Sequence, residues 1–260
     1  MLFDTHLHCE FSCDSHMQLQ QAMETAARQG IGIVVTEHWD YDYPTNPDKF
    51  LFDRDAYFKN FEPWRSATVL RGIEVGMQKH TAAADEKVGS DYSFDYVLGA
   101  IHCMGRKDIY EPVCYEGRTR AEAVEEFLDD TIYCLESHHN FDALAHIDYM
   151  CRYWPYQGAE QQLYLEDNPA KFDRIFKLLI EGNKAFEINT RRLDDQEAIK
   201  SLLLIYKRFK ALGGRYCTLG SDAHYCEHVG RRLQVALAIA KEAELQPVYF
   251  RERQMQLIKI

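Results

Sequence analysis

A parallel β/α barrel, closed or nearly so, is the fold class this sequence predicts, and three observations lead there. Seven short apolar runs alternate along the chain with helical patterns, the signature of strand-then-helix units. No linker or low-complexity tract interrupts them, and 260 residues is an ordinary length for such a barrel, so residues 1–260 are expected to form one domain. Nearly every run also ends in a side chain able to ligate a metal ion, as expected where strand ends meet at one rim. The periodicity counts seven staves, and the uncertainty of strand boundaries leaves six or eight open.

The first run is Phe3-Asp4-Thr5-His6-Leu7-His8. In an extended strand Asp4, His6 and His8 share one face, while Thr5 and Leu7 share the other. Alone, this stretch fits a metal site and a solvated edge strand with chance histidines about equally. Residues 17–29 then place Leu19, Ala22, Met23, Ala26 and Ala27 at helical spacing before Gly30, a good C-terminal cap. The β-branched run 31–36 suits a strand buried on both faces and leads into Glu37-His38. An aromatic, turn-rich loop follows from Trp39 to Phe52.

A helical stretch near 53–67 precedes the strand 68–75, which carries Glu74, and the strand 96–101 leads into His102. Thr119-Arg120-Ala121-Glu122 is a capping box that opens a helix to about 138, with Val124, Phe127, Leu128, Thr131 and Leu135 on its apolar face. The strand 141–145 delivers His146 and Asp148. Asn168-Pro169 starts a helix that ends at Gly182, and strand 184–189 follows. A helix over 195–212 and a strand over 215–219 lead into Ser221-Asp222-Ala223-His224, and a last helix covers about 229–243. The tail beyond it carries no clear pattern.

Composition narrows the function. The 30 Lys and Arg against 41 Asp and Glu give a net charge of −11, which repels a long nucleic acid in the absence of a basic tract. Divalent cations at the rim would offset this acidity locally, so a small phosphate ester remains compatible with it. Eight cysteines without a C-x-x-C pair read as free thiols. With neither a leader pattern nor a long apolar run, the chain is expected to be soluble and cytoplasmic, without a membrane partner.

Six of the eleven histidines, His6, His8, His38, His102, His146 and His224, fall at strand ends beside Glu74 and Asp222. Any one of them could be structural, but their joint placement points to a metal centre. The other five, His16, His80, His138, His139 and His228, read as surface or loop residues, with His80 the one nearest a strand end.

The set His6-x-His8, Glu37-His38, Gly72-Ile73-Glu74, Ile101-His102, His146-Ile147-Asp148 and Ser221-Asp222-Ala223-His224 resembles, in chain order, the PHP (polymerase and histidinol phosphatase) superfamily. The resemblance spans residues 3 to about 235. It implies a distorted seven-stranded β/α barrel, TIM-barrel-like, with a trinuclear metal centre. By the family pattern His6, His8, Glu74 and Asp222 would hold one ion, Glu74, His102 and His146 a second, and Asp14, His38 and His224 a third. Glu74, Asp222 and His224 are the expected catalytic centre. Two or three divalent ions are expected, and mixed nitrogen and oxygen donors suit zinc, manganese or iron. Asp4, Glu37 and Asp148 are expected to orient imidazoles through their other ring nitrogen.

Within the superfamily, 4–15, 36–44 and 99–102 with Asp108-Ile109-Tyr110 are similar to histidinol-phosphate phosphatases of histidine biosynthesis. Glu187-Ile188-Asn189-Thr190 also resembles that group, although Arg191-Arg192 replaces the small residues expected next. The implied reaction is hydrolysis of L-histidinol phosphate to L-histidinol and phosphate. Arg152 and Arg191, just beyond strand ends, are the candidates for holding the phosphate, with Arg192, Arg231 and Tyr153 weaker ones. The aromatic loop 39–43 could wall the site. Two alternatives stand beside this reading: a PHP phosphoesterase acting on nucleotides or short oligonucleotides, and a non-catalytic metal-binding module. Oligomeric state is not legible.

Overall fold

The computed structural model describes residues 1–259. Its first four parallel staves follow one another in chain order: β1 (Phe3–Asp4), β2 (Gly32–Trp39), β3 (Val69–Gly76) and β4 (Tyr96–Ala100). A small hairpin of β5 (Cys103–Met104) and β6 (Lys107–Asp108) then branches off. β7 (Ala143–Leu144), β8 (Ala185–Asn189) and β9 (Tyr216–Gly220) bring the parallel staves to seven. β10 (Gln246–Arg251) pairs parallel with β9 and antiparallel with β11 (Gln254–Leu257).

The first and seventh staves meet. Beyond β1 the chain stays beside the end of β9, where Thr5 N donates to Leu219 O, Asp222 N to His6 O and His8 N to Ala223 O, at 2.7–2.9 Å. These bonds join the first stave to the seventh, giving the expected distorted barrel.

Helices α1 (Leu19–Gln29), α2 (Arg54–Phe61), α3 (Ala82–Asp91), α4 (Arg120–Ser137), α5 (Pro169–Glu181), α6 (Gln196–Ala211) and α7 (Leu233–Glu242) connect the staves. Most form where periodicity and capping place them. Gly30 ends α1 at φ 65°, Thr119 and Glu122 form the capping box of α4, and Asn168 caps α5 with Pro169 in its first turn. Among the described residues, no helix is long and apolar enough to cross a membrane.

Five features depart from expectation. α3 was not legible, because only Asp85 and Val88 are buried along it and no apolar stripe announces it. α2 stops at Phe61 rather than near 67, and α7 starts at Leu233 rather than 229. The patternless tail is the β10–β11 hairpin. Its aromatics stack under the barrel, Tyr249 on Phe3 at 3.9 Å and Phe250 on Tyr96 at 5.3 Å between ring centroids. Finally, His138 is buried and its Nε2 lies 3.1 Å from Asp85, rather than at the surface.

The barrel interior is apolar low down and polar at the top. Val34, Leu70, Tyr96, Leu98, Ala143 and Ala185 pack with Val248 and Phe250 from the hairpin. Side chains two residues apart share a face, so Val34 leads through Thr36 to His38, and Leu70 through Gly72 to Glu74. The apolar floor thereby fixes which strand-end side chains look inward.

Candidate metal centre

Glu74, wholly buried at the end of β3, is the hub. Its Oε2 lies 3.3 Å from His6 Nε2, 3.4 Å from His8 Nε2 and 3.0 Å from His38 Nδ1. Its Oε1 lies 2.9 Å from His146 Nε2 and 3.3 Å from His102 Nε2. Asp222 Oδ1 sits 3.7 Å from His6 Nε2 and 3.5 Å from His8 Nε2. On the outer side, Asp14 Oδ2 is 3.5 Å from His38 Nε2 and 3.4 Å from His224 Nε2. All nine side chains expected as ligands converge on this patch, eight from the ends of the staves and Asp14 from the loop between β1 and α1.

The donor set fits metal ions on chemical grounds. Ser12 Oγ gives its proton to Glu37 Oε2, so it accepts from His8 Nδ1 at 3.2 Å. His6 Nδ1 donates to Glu187 Oε1 and His102 Nδ1 to Asp40 Oδ1, each at 2.7 Å. When these three imidazoles are neutral, as metal ligands must be, the Nε2 lone pair of each faces Glu74. The His6 and His8 Nε2 atoms lie 3.1 Å apart, and buried Glu74 Oε2 has no hydrogen-bond partner. Lone pairs and carboxylate oxygens crowded together away from water repel one another unless a cation or protons lie among them.

The titration behaviour reflects the same crowding. Burial opposes a charged His102, but Asp40 and Glu74 outweigh it and lift its pKa to about 10. Burial likewise opposes charge on His6 and His38, yet carboxylates led by Glu74 for His6 and by Asp14 for His38 raise both well above the ordinary value. Burial and the neighbouring His38 and His224 push His8 the other way. Burial also disfavours ionised Glu74, Asp14 and Asp222, but histidines, with Arg152 foremost for Asp222, hold all three well below the usual carboxylate range. Without metal, protons occupy positions that a cation would take.

Of the three carboxylates expected to orient imidazoles, none touches a ring nitrogen. Asp4 accepts from Ser221 N and Oγ and from Gly230 N, fixing the loop that presents Asp222. Glu37 acts through Ser12. Asp148 pairs with Arg192 at 2.9 Å. Glu187 and Asp40 hold imidazoles instead. Glu187 also accepts from His146 N through Oε2 at 2.8 Å. Both residues end staves on the inward face, a signal present in the sequence.

A cleft of about 470 Å³ opens over this centre, and Asp14, His224, Arg152 and Arg191 are among the residues that line it. Arg152 Nη1 donates to Asp222 Oδ2 at 2.6 Å and Nη2 to Asn189 Oδ1 at 3.0 Å, while its buried Nε has no partner. Arg191 Nη1 donates to Asp222 O at 2.8 Å. Arg192 turns away to Asp148 and Gln162, and Arg231 lies 3.6 Å from Asp194, so neither lines the cleft, whereas Tyr153 does. Phe50 from the aromatic loop, Tyr110 from the Asp108-Ile109-Tyr110 stretch and Lys49 line it too, and of these Lys49 carried no sequence signal. His80 lies outside, 2.9 Å from Asp42.

The PHP domain model matches residues 4–191, most of the chain. This chain belongs to the PHP family. It is 40% identical over 256 residues to a probable histidinol-phosphatase of Clostridium acetobutylicum, covering 98% of this chain and 99% of that one. It is 28% identical over 249 residues to a histidinol-phosphatase of Lactococcus lactis, covering 92% and 90%. Among solved structures it resembles histidinol phosphate phosphatase from Lactococcus lactis in complex with zinc, L-histidinol and phosphate, with a TM-score of 0.92 and 25% identity over 98% of each chain. The PHP family assignment thus agrees with the strand-end pattern and with the barrel.

Proposed function

We propose that this chain is a metal-dependent phosphatase that hydrolyses L-histidinol phosphate to L-histidinol and phosphate. The observation that carries the reading is the convergence of six imidazoles, Glu74, Asp222 and Asp14 beneath a cleft edged by Arg152 and Arg191. The full-length likeness to histidinol-phosphatases, one of them crystallised with zinc, L-histidinol and phosphate, supports the substrate. His6, His8, Glu74 and Asp222 would hold one ion, Glu74, His102 and His146 a second, and Asp14, His38 and His224 a third. Zinc is the ion that the solved relative supports.

Divalent ions bound there supply positive charge that neutralises phosphate oxygens and lowers the pKa of water. The chain's own residues do the rest. Glu187, Asp40 and Ser12 hold the imidazoles of His6, His102 and His8 with Nε2 presented inward. Arg152 is anchored on Asp222 and Asn189, so its charge is fixed beside the reacting phosphate without loss of entropy on binding. Arg191 is tied to the Asp222 carbonyl through one Nη and has further donors for a phosphoryl oxygen. Hydrolysis places a water oxygen on phosphorus, breaks the bond to the alcohol oxygen and returns the alcohol with a proton. Tyr149 and Tyr153 pack edge-on at 5.3 Å between centroids and wall the cleft against bulk water.

The test is metal content per chain measured alongside turnover of L-histidinol phosphate and a panel of simple phosphate esters. Turnover of L-histidinol phosphate well above the panel is expected, with loss of activity and retained folding in His102→Ala. Equal rates across the panel would refute the substrate, and full activity in His102→Ala would refute the site.

A further inference from the structure

We infer that the outer face of β2 carries a second binding site, for a small organic ammonium ion with a flat apolar body, and that its occupancy reaches the metal centre through Glu37, Ser12 and His8.

A stave of the barrel turns alternate side chains inward and outward. On β2, Val34, Thr36 and His38 face in, so Val35 and Glu37 face out beneath the helices, where apolar residues are the rule. Glu37 is only 1% exposed there. Its Oε2 accepts from Cys9 N at 3.0 Å and from Ser12 Oγ at 2.5 Å, but its Oε1 has no hydrogen-bond partner. The Tyr57 hydroxyl does not supply one, because it turns to the carbonyls of Val35 and Gly72. A buried carboxylate oxygen left without a donor is costly.

Glu37 lines a cavity of about 270 Å³ that lies between β2, α1 and α2 and shares no lining residue with the catalytic cleft. Four rings surround it, those of Phe11, Tyr57, Phe61 and Trp64. Phe11 and Phe61 stand edge-on to Tyr57, their centroids 5.2 and 5.6 Å from it, and half-exposed Trp64 sits where the cavity meets solvent. Glu10, which accepts from Leu19 N at 2.7 Å, adds a second carboxylate. Among the described residues no lysine, arginine or histidine lines the cavity.

This lining selects its ligand. Carboxylates without a counter-charge repel anions, and the faces of aromatic rings attract cations. A single free carboxylate oxygen is too little for a divalent metal ion, which needs several oxygen donors, but it suits one N–H of an ammonium. The rings then cover a flat apolar body attached to that ammonium. The same carboxylate leads inward. Ser12 Oγ, held by Glu37 Oε2, accepts from His8 Nδ1 at 3.2 Å and from His38 N at 3.0 Å. An ammonium on Oε1 draws charge from the carboxylate, so Oε2 holds the Ser12 proton less firmly and Ser12 Oγ becomes a poorer acceptor for His8 Nδ1. His8 then offers a weaker Nε2 lone pair to a metal ion. Ligand and metal therefore oppose one another, each lowering the other's affinity by the same factor.

The experiment titrates phenethylammonium and its uncharged counterpart 2-phenylethanol into the full chain by calorimetry, zinc-loaded and metal-free, in wild type, Trp64→Ala and Glu37→Gln. The ammonium is expected to bind the wild type about 10- to 100-fold more tightly than the alcohol, and Glu37→Gln to remove most of that difference. Trp64→Ala should weaken the ammonium about 3- to 10-fold and leave the zinc affinity of the amine-free protein unchanged. Saturating phenethylammonium should lower zinc affinity about 3- to 10-fold, less than the outright loss of a ligand's supporting partner would. Equal affinity for ammonium and alcohol overturns the site, and so does ammonium binding that Trp64→Ala leaves untouched, which would put the amine in the catalytic cleft. Zinc affinity indifferent to bound amine overturns the link through Ser12. Where Glu37→Gln does not fold, the wild-type preference for the ammonium and its loss of affinity in Trp64→Ala decide. No phosphate ester enters these measurements, so their failure leaves the phosphatase reading standing.

Discussion

Replacing Glu187 by glutamine tests whether the centre depends on the residues behind the ligands. Glu187 is wholly buried, accepts from His6 Nδ1 through Oε1 at 2.7 Å, and from His146 N through Oε2 at 2.8 Å. In Glu187→Gln the side-chain amide would keep one acceptor and turn a donor toward one of two N–H groups. A lost hydrogen bond to a charged group costs about 1.5–3 kcal/mol. At about 1.36 kcal/mol per tenfold, that is about 10- to 100-fold, the range by which such partners change metal affinity or activity. The assay is zinc affinity by competition with a chelator, with kcat/KM measured at saturating metal. Asp148→Asn is the control, because Asp148 binds Arg192 and touches no imidazole. A Glu187→Gln affinity within about threefold of wild type, or an equal loss in Asp148→Asn, would refute the reasoning.

Three further outcomes are expected. Gly220→Ala puts a methyl group 2.2 Å from Glu187 Oε1 and 2.5 Å from His6 Cβ, so it should lower metal affinity at least as much as Glu187→Gln while contacting no substrate; unchanged metal content would contradict it. His6, His38 and His102 have raised pKa values, His102 to about 10, so the metal-free site is protonated at neutral pH. Metal binding should release protons and weaken as pH falls, read by calorimetry in buffers of different ionisation enthalpy; no buffer dependence would refute this. Asp95 is opposed by burial, but Arg65 and the N–H groups of Arg71 and Glu252 hold its pKa below 3.8. A depressed carboxyl contributes stability above its unfolded pKa and loses it as pH falls through the folded value. Asp95→Asn should therefore cost about 2 kcal/mol at pH 7, with the gap to wild type closing below about pH 4 in urea titrations. A constant gap would show that the charge of Asp95 is not what stabilises the barrel floor.

The parts of the fold that were legible are those where one periodicity dominates. The β-branched runs ending in His38 and Glu74 are buried on both faces, and α4 and α5 announce themselves by a capping box and an Asn-Pro start. α3 and the β10–β11 hairpin were not legible, because α3 buries little and the hairpin's contacts to Phe3, Tyr96, Asp95 and Asp142 are made across the whole chain. At the site, strand-end placement singled out eight of the nine expected ligands, and Asp14, in the loop after β1, came from the family resemblance alone. The supporting partners were misassigned for two reasons: Asp4 and Asp148 are taken up by Ser221 with Gly230 and by Arg192, and a carboxylate next to a ligand in sequence, as Glu37 is, lies on the other face of the strand. Glu37 neighbours His38 but faces the outer layer, whereas Asp40, two residues beyond His38, shares the inward face and reaches His102. Glu187 obeys the same strand-end rule as the ligands. Its role as a partner rather than a ligand is set by His6 crossing from the adjoining region of the barrel to meet it.

Asp222 shows why such a centre needs the whole barrel. Its φ of 55° is a left-handed conformation that glycine adopts freely and that most side chains resist. Glycine would relieve the backbone and remove the carboxylate. The strain is therefore held by bonds made elsewhere: Asp222 N donates to His6 O at 2.7 Å, and Asp4 clamps Ser221 N at 2.8 Å and Gly230 N at 2.8 Å. Those bonds are the ones that close the first stave against the seventh. Burial lifts the pKa of Asp4 to about 6 against the pull of these donors, so the clamp itself carries an electrostatic cost. His6 and His8 on one edge and Asp222 and His224 on the other become neighbours only through this seam. Closing the barrel and assembling the metal centre are accordingly one structural event, which explains how a strained residue and a poorly solvated carboxylate are both tolerated at the same joint.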